Sequence, residues 1–199
     1  MIRWRALFVA AAAVLTVGAA TPDPQADAVL DEIDLARTDP RAYAAHLREW
    51  RSWFVGDVVR RPGLPGLVTV EGPAAVDEAI AFLEAQAPLP GLARDVDLDR
   101  AAADHARDQG RTGETGHVGS DGSTLGTRVR RHGAARGMGE NIAYGSADAR
   151  ETVIQLIVDD DVPGRGHRTN IFNRDWTRAG AACGPHPVWR RVCVIDFAY

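Results

Sequence analysis

Residues 191–199, RVCVIDFAY, decide the fold of this chain. Together with residues 177–184, TRAGAACG, they alternate in the way that β-strands do. Earlier segments have helical spacing instead, as in residues 27–38, DAVLDEIDLART. Helices followed by a terminal hairpin indicate an α+β fold class, in which helices cover an antiparallel sheet.

The two cysteines of the chain, Cys183 and Cys193, belong to these two strand-like segments. The sequence GPHPVWRRV separates them, and its prolines favour a turn. If the hairpin is symmetric about Val188, the two cysteines face each other at a distance that a disulfide can bridge. Metal binding by the pair is the alternative, and the lack of a CxxC pattern disfavours it.

The N-terminus predicts export. Residues 1–20 place Arg3 and Arg5 before an apolar run and end in small residues, which is typical of a secretory signal peptide. We therefore expect a leader over residues 21–26, a single domain over residues 27–199 and no membrane span after cleavage. The protein would be secreted, or periplasmic in a host with two membranes, and the disulfide suits that oxidising location.

The charge balance limits the partners. The chain has 23 basic and 27 acidic side chains, a formal net charge of −4, and removal of Arg3 and Arg5 would make it more negative. Nucleic acids and anionic membrane surfaces are therefore not expected as partners. We expect a monomer.

Four positions are candidates for site chemistry. They are His117 in TGHVGSDGS, Glu140 in GENIAYG, one aspartate of the triplet 159–161, and His167 in GRGHRTNIF. Because these residues come from separate segments, only the fold can bring them together. The remaining histidines are expected outside the site, with His105 packed on a helix face, His132 at a helix end, His46 on a helix surface and His186 exposed in the hairpin turn.

The order of these motifs, followed by the hairpin ending CVIDFAY, resembles the CAP superfamily of cysteine-rich secretory, antigen 5 and pathogenesis-related 1 proteins, and more closely its compact bacterial secreted branch. The likeness covers residues 27–199. It implies a three-layer α-β-α sandwich with an open cleft where two histidines and two acids meet. His117, Glu140 and His167 match three of them.

The second acid departs from the family pattern, because Asp159 stands where many relatives have Glu. Asp160 or Asp161 could replace it after a small register change. Residues 50–90 resemble an insertion that covers part of the cleft.

Two imidazoles with nearby carboxylates suit a divalent cation, with zinc the best match. His117 and His167 would be the metal ligands, and Glu140 and Asp159 their acid partners. Neither Ser120 nor Ser123 has a GxSxG setting, which disfavours a serine hydrolase.

Three functions remain open. The preferred one is binding of a small apolar or lipid-like ligand, or of an extracellular protein, rather than turnover. The first alternative is a metal-assisted hydrolase of peptide or ester bonds with Glu140 as base. The second is an interaction module in which the cleft residues only stabilise the fold. Trp50, Trp53 and Phe54 are candidates for lining a lipid or peptide groove.

Overall fold

The computed structural model describes residues 24–133, 135–146 and 148–199. The predicted signal peptide and residues 21–23 of the predicted leader lie outside these ranges. Within them, no helix is both long enough and apolar enough to cross a membrane. The helices are α1 (Pro24–Thr38), α2 (Pro40–Ser52), α3 (Pro73–Ala85), α4 (Val96–Thr112), α5 (Leu125–His132), α6 (Ala149–Val158) and α7 (Gly166–Ile171).

The main sheet has the strand order β4-β6-β7-β5. Its strands are β4 (Ala93–Arg94), β5 (Met138–Tyr144), β6 (Arg178–His186) and β7 (Arg190–Ala198). β7 is central and runs antiparallel to both β5 and β6. The two-residue edge strand β4 pairs parallel with β6, which adds one parallel contact to the expected antiparallel sheet.

Successive residues of β7 enter different cores. Cys193, Ile195 and Phe197 pack with α1, α2, α3 and α6 in the larger core. Val192 and Val194 pack against α4 on the other face. Both faces of the sheet are therefore covered by helices, which confirms the predicted three-layer α-β-α sandwich.

α4 lies directly on the sheet because position 180 has no side chain. A Cβ atom there would collide with the backbone nitrogen of Asp99. The carboxylate of Asp99 then accepts a hydrogen bond of 2.8 Å from the backbone N–H of Ala181. This contact fixes the helix that precedes the His117 loop.

The hairpin has the predicted register. Cys183 stands opposite Cys193, and the two form a disulfide. The last pair before the turn joins His186 to Arg190, which leaves Val188 at the centre. The pairing predicted from the spacing is confirmed.

Residues 50–90 contain a second, smaller sheet. Its strands β1 (Phe54–Val55), β2 (Val58–Val59) and β3 (Leu67–Val68) form an antiparallel meander, which α3 follows. Whether this segment is an insertion relative to the family stays a prediction.

Arg37, at the end of α1, is fully buried. Its guanidinium donates to the carbonyl oxygens of Ile171 at 2.6 Å, Asn173 at 3.0 Å and Pro90 at 3.1 Å. One side chain thus ties α1 to the segment after α7, and burial lowers its pKa. This contact positions the chain between α7 and β6.

Candidate functional site

The first pair of candidate residues meets at the edge strand β5. The Nδ1 atom of His117, in the loop between α4 and α5, lies 2.8 Å from Oε1 of Glu140. The His117 side chain is 58% exposed, whereas that of Glu140 is 3% exposed. The carboxylate therefore orients the ring from inside the protein while the ring itself meets solvent.

Arg128, a residue that the sequence did not single out, holds the other oxygen of Glu140. Its guanidinium is buried and donates to Oε2 at 2.5 Å. It also donates to the carbonyl oxygens of His117 at 3.2 Å and Ser123 at 3.0 Å. Arg128 thus fixes both Glu140 and the loop that carries His117.

These contacts set the charges of the pair. The hydrogen bond that the His117 ring donates to the Glu140 carboxylate raises the pKa of His117. Burial by itself would raise the pKa of Glu140, but the bond with His117 and the charge of Arg128 outweigh it and lower that pKa. Glu140 is accordingly an anion with both oxygens in use.

The second pair forms where α6 ends. Asp159 caps that helix in the left-handed conformation with φ 56°, and its N–H donates to the Gln155 carbonyl at 2.8 Å. Its Oδ1 lies 2.6 Å from Nδ1 of His167, and its Oδ2 accepts the His167 backbone N–H at 2.8 Å. Asp159 is therefore the aspartate of the triplet that pairs with the second histidine.

The other two aspartates of the triplet face residues 70 and 71. The carboxylate of Asp160 accepts the backbone N–H groups of Val70 at 2.7 Å and Glu71 at 2.9 Å. The N–H of Asp161 donates to the Glu71 carboxylate at 2.7 Å. Both aspartates therefore connect the loop after α6 to the segment that directly follows the meander.

Two asparagines link the two histidine–acid pairs. Asn141, next to Glu140, donates to the backbone carbonyl of His167 at 3.0 Å. Asn170 donates to Asn141 Oδ1 at 3.0 Å and to the backbone carbonyl of Glu140 at 3.3 Å. The structure therefore places both pairs at the contact between β5 and α7, with amide groups between them rather than a direct bond.

Each imidazole uses Nδ1 for its acid and makes no hydrogen bond through Nε2 within the described residues. A histidine oriented by a carboxylate in this way is a common metal ligand. However, in the part of the chain that the structure describes, no group of three or more His, Cys, Asp or Glu side chains could hold a metal ion. The zinc site stays a prediction, with at most two imidazole ligands.

Asp196 was also missed by the sequence reasoning. It stands directly opposite Glu140 on β7, is fully buried, and has the Glu140 carboxylate as its hydrogen-bond partner, to which it donates when protonated. Burial raises its pKa well above the ordinary value, and the charge of Glu140 adds to the effect. The sequence does contain a signal for it: Asp196 is the one charged residue in the apolar segment VCVIDFA, and an acid in a strand that is apolar on both faces is expected to be buried.

The other histidines have structural contacts. His105 is buried and its Nε2 lies 2.8 Å from the Gly116 carbonyl, so it supports the His117 loop. His132, at the end of α5, lies 2.8 Å from Asp104. The expectation that His186 is exposed is wrong, because its ring is buried and accepts the N–H groups of Val188 and Trp189 in the tight hairpin turn.

A groove of about 400 Å³ lies beside the second pair. Asp159, Asp160 and His167 line it, whereas His117 and Glu140 do not. Most of its other lining residues are apolar or aromatic. They are Trp50, Leu67, Val68, Ile142, Ala143, Tyr144, Leu156, Val158, Val162 and Trp189.

The fold is a layered α+β domain, and the two histidine–acid pairs meet on one side of it with partly exposed imidazoles. The chain belongs to the CAP family, the cysteine-rich secretory protein family, whose model matches residues 42–197. This confirms the resemblance drawn from the motifs. No curated protein matches the sequence.

Three solved structures have similar chains. An extracellular SCP-domain protein from Bacillus anthracis is 23% identical over 64% of this chain and 38% of its own, with a TM-score of 0.47. An outer surface protein from Borrelia burgdorferi is 20% identical over 55% and 78%, with a TM-score of 0.48. A cysteine-rich secretory protein from Staphylococcus aureus is 16% identical over 68% and 42%, with a TM-score of 0.43. The chain thus spans less than half of the Bacillus and Staphylococcus proteins.

Proposed function

We propose that this domain binds a small apolar, lipid-like ligand outside the cytoplasm, in the groove beside His167. The observation that carries the proposal is the apolar lining of that groove. Its walls come from α2, the meander, β5, α6 and the hairpin turn, through residues such as Trp50, Leu67, Ile142, Leu156 and Trp189. Transfer of apolar ligand surface into such a groove contributes about 25 cal/mol per Å².

The groove has the size and composition of a ligand site. Small-molecule pockets commonly have volumes of about 300–1,000 Å³, with apolar walls and a few polar groups that fix orientation. Here the ionisable groups are the Asp159–His167 pair and Asp160, and Thr69, Thr115 and Gln155 add neutral polar side chains. They would bind the polar end of an amphiphilic ligand while the apolar walls hold its chain.

Export of the protein is part of this proposal. The Arg-containing, apolar N-terminal segment supports it. The disulfide between Cys183 and Cys193 supports it as well, because disulfides persist in oxidising compartments.

The proposal includes a divalent cation, with zinc the best match, as a second ligand held between the two histidines. His117 and His167 would hold it through Nε2, and Glu140 and Asp159 would keep the rings oriented. A bound cation would supply positive charge for an anionic head group. Two imidazoles without a third protein ligand imply modest affinity.

Binding is favoured over metal-assisted hydrolysis because of the state of Glu140. Both of its oxygens are engaged, by His117 and Arg128, and its pKa is lowered. A general base needs a free oxygen and a pKa near the working pH. Glu140 therefore serves to orient His117.

The test is displacement of a fluorescent fatty-acid analogue from the purified protein. Val162→Glu, which places a carboxylate in the groove wall, should weaken binding at least about tenfold, since tenfold corresponds to 1.4 kcal/mol. Val96→Glu on α4 is the matched control, because Val96 is exposed and does not line the groove. Equal affinity in the wild type and the Val162→Glu variant, with both folded by circular dichroism, would contradict the proposal.

A further inference from the structure

The meander is apolar on both faces. Direct pairing places Val55, Val58 and Val68 in one cross-strand row, and Phe54, Val59 and Leu67 in the other. Val59 is buried against the main core, whereas Val55 and Val68 are among the most exposed apolar side chains of the described residues. One face thus packs on the protein and the other presents valines to solvent.

The exposed row continues beyond the strands. After Val68, Thr69 is buried and donates its hydroxyl to the Asp57 carbonyl, and Val70 turns outward again. Leu64, in the loop before β3, is exposed as well. Val55, Leu64, Val68 and Val70 are between 52% and 75% exposed. We call these four residues the meander rim.

A second apolar rim lies across the groove. Val188 and Trp189, in the turn between β6 and β7, are 66% and 51% exposed. Val68 of the meander rim and Trp189 of this hairpin rim both line the groove. Exposed apolar side chains from two segments far apart in the sequence, Val68 and Trp189, therefore reach the same groove.

Each rim also has a cation beside it. Arg60 and Arg190 are exposed, and neither guanidinium makes an ion pair or hydrogen bond within residues 24–133, 135–146 and 148–199. Aliphatic side chains and tryptophan with adjacent arginines are typical of protein segments that enter the head-group region of a bilayer.

We propose that the two rims dock this protein on a zwitterionic phospholipid surface, with the groove mouth facing the lipid. The occupant is a lipid surface because its acyl layer can take up the exposed apolar side chains of both rims, while its phosphates match the guanidinium groups of Arg60 and Arg190, which have no ion-pair partner among the described residues. The net charge of −4 favours a neutral surface over an anionic one. The proposal rests on the proposed function, since docking delivers a lipid-like ligand directly to the groove.

The test is partition of the protein without the predicted signal peptide, residues 21–199, onto phosphatidylcholine vesicles, measured by co-sedimentation, so that the apolar run near the N-terminus does not itself bind lipid. The variant Val55→Ser/Val70→Ser/Val188→Ser removes aliphatic surface from both rims and leaves every groove-lining residue intact. We expect its partition coefficient to fall at least tenfold. Val96→Ser, an equally exposed valine on α4, is the matched control and should partition as the wild type does.

The outcomes separate docking from ligand binding. The triple variant should still bind the soluble fatty-acid analogue as the wild type does. If it partitions onto vesicles undiminished, residues outside the rims bind the lipid and the docking proposal is overturned. Self-association of the wild type that the triple variant loses, seen by sedimentation velocity without lipid, would assign the rims to a second copy of the chain and also overturn it.

Discussion

Glu140 and Asp196 stand directly opposite each other on neighbouring strands, and both carboxylates are buried. Only Glu140 has a cation, Arg128, bonded to it. The two acids therefore differ in charge: the pKa of Glu140 is lowered, whereas burial and the charge of Glu140 raise the pKa of Asp196.

Asp196 should make stability fall with rising pH. Its pKa is raised in the folded protein, so the folded state binds more protons than the unfolded state above the ordinary value of 3.8. Stability is thus lost as pH rises from there through the raised pKa. In Asp196→Asn this loss disappears, so the stability of the variant relative to the wild type should rise between pH 4.5 and pH 8.

Urea denaturation at several pH values measures the difference. Asp57→Asn, at an exposed aspartate of the meander, is the control and should follow the wild type. A stability difference between Asp196→Asn and the wild type that does not change with pH would show that Asp196 does not titrate in this way.

His117 should titrate above its ordinary pKa of 6.5, because Glu140 bonds to its ring. Glu140→Gln removes that bond and charge but keeps Arg128, so the pKa should drop below 6.5. The sign follows from linkage: the His117–Glu140 pair stabilises the fold fully below pH 6.5 and loses this contribution as pH rises through the raised pKa. Proton NMR of the imidazole Cε1–H checks the shift, and Glu114→Gln in the same loop should leave it unchanged.

Zinc retention tests the two imidazoles directly. After equilibrium dialysis against micromolar zinc, the His117→Ala/His167→Ala variant should retain less metal than the wild type. The variant His46→Ala is the control, since His46 lies on α2 and lines a different pocket, which contains neither pair. If the rings share one ion, each single variant should lose as much zinc as the double variant. Equal zinc in the wild type and the double variant would remove the metal from the proposed function.

Arg37→Leu should destabilise the protein by about 3 kcal/mol, because the carbonyl groups of Ile171 and Asn173 lose a charged donor inside the protein. Arg48→Leu removes a solvent-exposed ion pair with Glu84 and should cost less than about 1 kcal/mol. Thermal unfolding followed by circular dichroism compares them. Similar losses for both variants would mean that burial of Arg37 has no special role.

Cys183→Ala/Cys193→Ala should cost about 2–3 kcal/mol, the range for a disulfide that closes a short loop. Dithiothreitol should lower the unfolding midpoint of the wild type by a similar amount and leave the double variant unaffected. A midpoint that is insensitive to reduction would contradict a stabilising disulfide.

The parts of the fold that could be predicted are those specified by local sequence. The alternation of residues 191–199 and the spacing of the cysteines determined the hairpin and its register, because side chains on a strand repeat every two residues. The motif order pointed to His117, Glu140 and His167. The sequence does not show which acid bonds to which histidine. Asp159 contacts His167 because it ends α6 in the left-handed conformation, and only the structure shows this.

Other features depend on contacts that no local pattern specifies. Arg128 lies in the arginine-rich stretch TRVRRHG, and the sequence does not indicate which of these cations is buried on Glu140. The groove is lined by residues such as Leu67 and Trp189, which are separated by more than half of the sequence. The exposure of the meander valines could not be predicted from the sequence either, because β-branched residues are frequent in buried and exposed strands alike.

The central position of β7 has a consequence for biosynthesis. Every other helix and strand of the described chain leaves the ribosome, or an export channel, before this strand does. Both hydrophobic cores include side chains of β7. Neither core can therefore complete its packing before this strand has been added to the sheet. Final packing of the domain therefore depends on the strand that is synthesised last.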